Sequence, residues 1–144
     1  MKFKKKVWKT LSKNDTGETN SHQSGISIIK DIARAGIFPD LTTETLNPRT
    51  EVTFKEENGK IWTFQYIYYN DRYFGKPSNQ AHDEFRMTCV KDYIREKGIV
   101  AGDEIWFGIN ENNERIIGYD KQQNQSEDNG IIHIRKGWKV IGIK

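Results

Sequence analysis

A mostly β barrel whose ends are closed by two helices is the fold class that the sequence predicts. Short segments rich in β-branched and aromatic residues recur along the chain, bounded by Gly, Asn or Asp. Two stretches show the apolar spacing of helices, and the order of elements differs from the strand–helix alternation of a parallel sheet. The 144 residues, 35% apolar and 12% aromatic, are enough to fill one core. We therefore expect a single domain over residues 1–144.

The predicted strands occupy the middle and the end of the chain. Ile61–Tyr69 is the clearest, because aromatic residues take every second position from Trp62 to Tyr68. Five shorter segments have the same composition; they are residues 52–54, 104–109, 115–119, 130–135 and 139–143. The polar residues 110–115 and 120–130 predict a turn and an exposed loop between them. Aromatic residues on these strands are expected to pack in the core.

Two helices are predicted, over residues 27–35 and 83–97. The first carries isoleucines at helical spacing and stops at Gly36. The second carries aromatic and aliphatic residues on one side and ends at Gly98, a residue typical of helix C-caps. Cys89, inside the second helix, is expected to be a small buried apolar residue.

The charge is unevenly distributed along the chain, whose net charge is +3. Residues 1–40 carry eight Lys or Arg against four Asp or Glu, residues 121–144 carry five against two, and residues 41–120 carry ten against fourteen. Basic ends around a slightly acidic middle favour a polyanionic partner. The alternative is that the five lysines among residues 2–9 only improve solubility, or that residues 1–10 form a flexible basic segment.

The motifs of common catalytic and membrane classes do not occur in the sequence. His22, His82 and His133 are scattered, and none begins a zinc-binding or phosphodiesterase pair. The single Cys89 permits no internal disulfide, and no apolar run reaches the roughly 20 residues of a membrane span. We therefore expect a cytoplasmic protein that is not an enzyme, with no catalytic residue, metal or cofactor and no membrane partner. Acidic residues that pair only in space remain an open alternative.

Two polar segments differ from the rest of the chain. Residues 13–27 are rich in short hydrogen-bonding side chains, and residues 70–86 directly follow the clearest strand. The second segment offers cations for phosphates or guanine and amides for adenine edges. Both could instead be ordinary solvated loops. A structureless loop of this length is uncommon in a compact domain, which favours a function.

Three stretches resemble one family, in the right order. LSKNDTGETNSHQSG (residues 11–25) resembles the start of the DNA-binding pseudobarrel of plant B-three transcription factors and, more closely, the N-terminal recognition domain of the EcoRII restriction endonuclease family. WTFQYIYYNDRYFGK (residues 62–76) is similar to that family's strand and following loop, and DYIREKGIVAGDEIWF (residues 92–107) to its helix, Gly-Asp turn and strand. The resemblance implies a seven-stranded open pseudobarrel, with helices at its ends, that grips the major groove of duplex DNA with two loop arms.

By position, the resemblance implies that residues 13–30 form an N-terminal arm (the N-arm) and residues 71–86 a C-terminal arm (the C-arm). In the N-arm, the residues that it assigns to DNA are Lys13, Asn14, Thr16, Asn20, Ser21, His22, Gln23, Ser24, Ser27 and Lys30. In the C-arm, they are Arg72, Tyr73, Lys76, Ser78, Asn79, Gln80, His82 and Arg86.

The arm residues depart from the EcoRII pattern. Ser78, Gln80 and His82 stand where that family has charged residues, and Ser27 stands where it has Tyr. Amide and hydroxyl groups contact other base edges than charged groups do, so the recognition sequence of the family cannot be transferred. We expect a short site of about 5–6 base pairs whose sequence is open.

The resemblance leaves three hypotheses for function. The first is a sequence-specific DNA-recognition domain of a bacterial restriction–modification enzyme, whose nuclease domain or subunit lies outside this chain. The second is a free-standing, transcription-factor-like DNA-binding protein. The third is a module that binds an oligosaccharide or a protein with the same loops. Asp103, in the Gly-Asp turn, is expected to brace that turn.

Overall fold

The computed structural model describes residues 2–19, 25–75, 81–122, 131–133 and 136–141. Its strands are β1 (Phe3–Thr10), β2 (Ile26–Ile28), β3 (Arg49–Lys55), β4 (Ile61–Tyr69), β5 (Glu84–Thr88), β6 (Glu104–Asn110), β7 (Arg115–Asp120), β8 (Ile131–His133) and β9 (Trp138–Ile141). Its helices are α1 (Lys13–Thr16), α2 (Lys30–Ala33), α3 (Lys91–Glu96) and a 3-10 helix over Asp71–Phe74.

The strands form one curled sheet in the order β2-β5-β4-β3-β7-β6-β1-β9-β8. Neighbours pair antiparallel, apart from a short parallel contact between β3 and β7. The indole Nε1 of Trp138 donates to the carbonyl oxygen of Ser27 at 3.3 Å, so β9 and β2 approach each other although each lies near an opposite end of the sheet. The expected open pseudobarrel is confirmed, with nine strands in the described residues instead of seven.

The core is aromatic and fills the inside of the curled sheet. Phe38, Phe54, Phe107 and Trp138 are buried, and the ring centroids of Phe54 and Phe107 lie 5.1 Å apart. Buried residues of α2 and α3 join the same cluster, so both helices pack against the barrel as expected. The strand aromatics expected to pack in the core are largely buried: Trp62 is half-buried against the core, and the buried ones are Phe64, Tyr66, Tyr68, Trp106, Phe107 and Trp138.

The basic N-terminal segment is part of the sheet. β1 pairs with both β6 and β9, which places it between two other strands. Trp8 packs with Trp106 in a second small cluster, where the Lys6 ammonium lies 4.1 Å from the Trp106 ring centroid. The alternative of a flexible arm over residues 1–10 is therefore wrong for residues 3–10.

Both predicted helices begin too early. Residues 26–28 form strand β2 and only Lys30–Ala33 is helical, while residues 84–88 form strand β5 and only Lys91–Glu96 is helical. Cys89 lies between β5 and α3 with a positive φ of 64° and is exposed, so its expected burial inside a helix is also wrong. This left-handed residue reorients the chain from strand to helix.

Other expectations agree with the structure. β4 has the predicted bounds, and β6 and β7 each differ from prediction by one residue at the C-terminal end. Asp103 braces its turn, because its carboxylate accepts from the Val100 and Gln122 amides and from Lys121 Nζ. No helix among the described residues is long and apolar enough to cross a membrane.

Candidate nucleic-acid interface

The base of the N-arm is fixed by a capped turn and a buried ion pair. Ser12 and Asp15 form a reciprocal capping box that begins α1, and Gly17 ends it in the left-handed conformation. The Asp15 carboxylate also accepts from Lys9 Nζ of β1 at 2.9 Å, with both side chains more than 90% buried. This capped turn and its ion pair therefore set the direction in which the N-arm leaves the barrel.

Three assigned N-arm residues lie on this turn. Lys13 is exposed, and Asn14 and Thr16 are half-buried. The Asn14 side-chain oxygen accepts from the Thr19 hydroxyl at 3.2 Å, and the Thr16 hydroxyl donates to the Lys13 carbonyl at 3.1 Å. The assigned tip residues Asn20, Ser21, His22, Gln23 and Ser24 lie outside the described part of the chain.

Asp71, at the start of the C-arm, is hydrogen-bonded to His82, near its end. The buried Asp71 carboxylate accepts from the His82 backbone amide and lies 3.1 Å from His82 Nδ1. The Arg72 amide donates back to the His82 carbonyl at 3.2 Å. Arg72, Tyr73 and the His82 ring are exposed. The assigned residues Lys76, Ser78, Asn79 and Gln80 lie outside the described residues.

The two arms meet at strands β2 and β5. Each strand carries the chain back from an arm into the barrel, and their antiparallel register places Ser27 opposite Arg86. Between the returning segments lies a cleft of about 340 Å³, lined by residues 27–30, residues 81–85 and Lys136. Ser27, Lys30 and His82 are thus brought together at this cleft.

Asp83 connects the two arms, because its side chain binds Lys30 of the N-arm and Tyr73 of the C-arm. Its carboxylate accepts from Lys30 Nζ at 2.6 Å, from the Tyr68 hydroxyl at 2.6 Å and from the Tyr73 hydroxyl at 3.2 Å. Burial alone would raise the pKa of Asp83, but the donors from Lys30 and Tyr68 outweigh it and lower the pKa. Burial and the bond to Asp83 together raise the pKa of Tyr68 to about 12. The Asp83 carboxylate is therefore ionised and the Tyr68 hydroxyl protonated at neutral pH.

Arg86 is buried among protein partners. Its Nε and Nη2 atoms donate to one Glu84 oxygen at 2.8 and 2.6 Å, and Nη1 donates to the Gly25 carbonyl at 3.2 Å. Lys30 is likewise engaged with Asp83. These two cations, assigned to DNA from the sequence, have structural partners here, whereas Lys13 and Arg72 are exposed to solvent.

Several residues of the site escaped the sequence analysis. Asp71, Asp83 and Glu84 organise the arms, but a carboxylate in a segment expected to meet phosphates carries no favourable signal of its own. Lys136 lines the cleft from a turn that follows β8 in the chain. Among the described residues, no group of three His, Cys, Asp or Glu side chains is arranged to hold a metal.

Comparisons with known proteins agree with this architecture. Auxin response factor 16 of Arabidopsis thaliana is 28% identical over 134 residues, which is 93% of this chain. The type II restriction enzyme EcoRII of Escherichia coli is 39% identical over 75 residues, which is 50% of this chain. The chain spans 18% of the length of each of these relatives.

A solved structure shares the fold. The Arabidopsis FUS3–DNA complex superposes with a TM-score of 0.58 at 22% identity, covering 79% of this chain and 94% of that one. The family model described as "Restriction endonuclease EcoRII, N-terminal" matches residues 4–92, which is well over half of the chain and includes all of both arms. The chain therefore belongs to the EcoRII N-terminal family of restriction endonuclease domains.

Proposed function

We propose that this chain is a sequence-specific recognition domain for double-stranded DNA, which its two arms grip through the major groove. The observation that carries the proposal is the pairing of β2 with β5, because it brings the returning segments of both arms together beside one cleft. A major groove about 12 Å wide has room for elements of this size. Membership of the EcoRII N-terminal family and a fold shared with a protein solved on DNA support it.

Exposed cations supply the attraction that does not depend on sequence. Lys13 on the N-arm and Arg72 on the C-arm are exposed, and Lys136 lines the cleft between the arms. Phosphate contacts by such residues release counterions, so affinity falls steeply as salt rises. In this proposal Lys30 and Arg86 contribute less to this attraction, because Asp83 and Glu84 offset their charges.

His82 is the described residue best suited to read a base. The Asp71 carboxylate can only accept, so a neutral His82 ring donates Nδ1–H to it and leaves Nε2 as an acceptor. An acceptor in the major groove pairs with the N4 amino group of cytosine or the N6 amino group of adenine. Asp71 would then fix the ring's tautomer as well as its direction.

Two settings for this recognition are supported by different relatives. The EcoRII match favours a restriction endonuclease, in which a nuclease domain or subunit outside this chain cuts DNA. The auxin response factor match, which covers more of the chain at lower identity, favours a transcription-factor-like protein. Mg²⁺-dependent cleavage at the bound site by the full-length protein would support the first setting, and site-specific binding without cleavage the second.

The class of ligand is tested by titrating the purified chain with labelled ligands at about 150 mM salt. The expected result is binding to a mixed-sequence duplex that weakens with added salt, and weaker binding to the single strands and to neutral oligosaccharides. Equal binding to duplex and single strand, or preference for an oligosaccharide, would contradict the proposal. The oligosaccharide or protein module would then be the better hypothesis.

A further inference from the structure

Arg86 lies where the two arms meet, and its contacts cross from one arm to the other. It belongs to β5, which returns from the C-arm, and its Nη1 donates to the carbonyl of Gly25, where the chain returns from the N-arm. Glu84 holds the other side of the guanidinium through two donors at 2.6 and 2.8 Å. The residue is 8% exposed. A planar fork held in this way has one orientation.

Gly25 also lies directly against the backbone of β5. Its φ is +94°, and a Cβ atom built on it would lie 2.3 Å from the carbonyl oxygen of Met87. The next residue, Ile26, pairs with Met87 in the β2–β5 ladder. The chain leaving the N-arm is therefore fixed by a backbone contact and by a side chain of the C-arm strand.

We propose that Arg86 is a positioning residue that locks the exit of the N-arm to the C-arm, so that the two arms meet DNA as one rigid unit. The proposal rests on the proposed function, and it changes the expected role of Arg86 from a phosphate or base contact to an internal brace. Arms fixed in advance lose less conformational freedom on binding, and they hold base-reading groups in register. Loss of the brace is expected to weaken specific binding more than non-specific binding.

The test compares Arg86→Lys with Arg72→Gln in the same chain. Lysine keeps the charge of Arg86 but cannot span Glu84 and Gly25 with a planar fork. For Arg86→Lys we expect the ratio of specific to non-specific affinity to fall about tenfold, with the salt dependence of binding unchanged. For Arg72→Gln, an exposed cation, we expect affinity to fall on all duplexes and the salt slope to fall by about one.

A second variant checks that the effect does not come from misfolding of Arg86→Lys, and a second measurement tests the brace without DNA. Glu84→Gln leaves Arg86 in place and weakens its anchor, so it should lower the same affinity ratio in the same direction. Hydrogen exchange of the amides of residues 25–28, in the free protein, should accelerate in both variants while exchange in β4 and β6 stays unchanged.

Two results would overturn the proposal. An affinity ratio that stays unchanged in both Arg86→Lys and Glu84→Gln would show that the contacts of Arg86 do not hold the arms in register for specific binding. Unchanged exchange at residues 25–28 in both variants would show that Arg86 fixes nothing at Gly25. If the unaltered chain prefers no duplex, the proposed function fails, and hydrogen exchange alone decides whether the arms are locked.

Discussion

At the scale of single residues, a comparison of Gly25 with Gly59 distinguishes the cost of backbone strain from the cost of a steric clash. Both have a left-handed φ, +94° and +97°, but a Cβ on Gly25 would meet the Met87 carbonyl while a Cβ on Gly59 would meet nothing within 4 Å. A side chain at either position would therefore adopt an unfavourable backbone conformation, but it would cause a steric clash only at Gly25. Gly59 lies in the β3–β4 turn, outside both arms.

We predict that Gly59→Ala lowers the free energy of unfolding by about 1–2 kcal/mol, the cost of a left-handed alanine. Gly25→Ala should lower it by about 1–3 kcal/mol more, because β5 has to move away from the new methyl group. Urea unfolding of the two variants measures the difference. Equal losses would mean that the N-arm exit is not held against β5.

Asp103 gives a prediction on acid stability. It is 2% exposed, and burial would raise its pKa, but Lys121 and the Val100 and Gln122 amides lower the pKa further than burial raises it. A carboxyl with a folded-state pKa below its unfolded value stabilises the protein at pH above the unfolded value, about 3.9. That contribution is lost as pH falls through the folded-state pKa.

Asp103→Asn should therefore cost about 2–4 kcal/mol at neutral pH, since it removes a buried, multiply bonded carboxylate. The difference from the unaltered protein should be constant down to about pH 5 and shrink below about pH 4. The control is Asp92→Asn, whose side chain is 84% exposed beside Arg95. A difference that does not change with pH would exclude an ionised Asp103 as the source of the stability.

At the scale of elements, β1 shows how a run of lysines can be part of a core. Lys9 is buried against Asp15, whereas Lys4 is exposed and donates to the side chain of Asn113. Composition alone cannot distinguish these two lysines. Val7 and Trp8 are residue types typical of strands, but the lysines around them made the segment resemble an exposed basic stretch.

We predict that Lys9→Ala lowers the free energy of unfolding by about 3 kcal/mol, because it leaves the Asp15 carboxylate buried without its counter-ion. Lys4→Ala, in the same strand, should change it by less than about 0.5 kcal/mol. Thermal unfolding of both variants measures this contrast. Two small, equal effects would fit a flexible basic segment and contradict the placement of β1.

The elements also show what the sequence could and could not predict. β4 was predictable because aromatic residues take every second position over the seven residues from Trp62 to Tyr68, a pattern typical of a strand. β2 and β5 were not, because each is a short strand joined directly to a short helix, and the isoleucines of residues 26–32 satisfy both periods. Cys89 takes the positive φ that separates β5 from α3, a position where the sequence offers no Gly or Asn as a signal.

The sequence was enough to predict which segments form the candidate site, but not which contacts their side chains make. Both arms were located from polar composition and family resemblance, and β2–β5 pairing brings their returning segments together. The roles within them depend on tertiary partners: Lys30 binds Asp83, and Arg86 binds Glu84 and Gly25. A sequence read without its fold treats every Lys and Arg of an arm as available for DNA.

At the scale of the whole molecule, the barrel is a rigid support for two short arms. The aromatic core and the ladder β2-β5-β4-β3 hold the strands from which the arms extend. Lys30 and Arg86 are engaged in ion pairs, whereas Lys13 and Arg72 are exposed. In the proposed function, these exposed cations attract any duplex, and other arm residues discriminate among sequences.

The central claim, that the arms read duplex sequence, is tested most directly by selection from a pool of randomised duplex DNA at about 150 mM salt, followed by sequencing. The account predicts one short enriched motif of about 5–6 base pairs, in which His82→Ala relaxes the preference at a single position while the others are kept. A pool that stays flat, or a motif unchanged by His82→Ala and by alanine at His22, Gln23, Asn79 and Gln80, would contradict it.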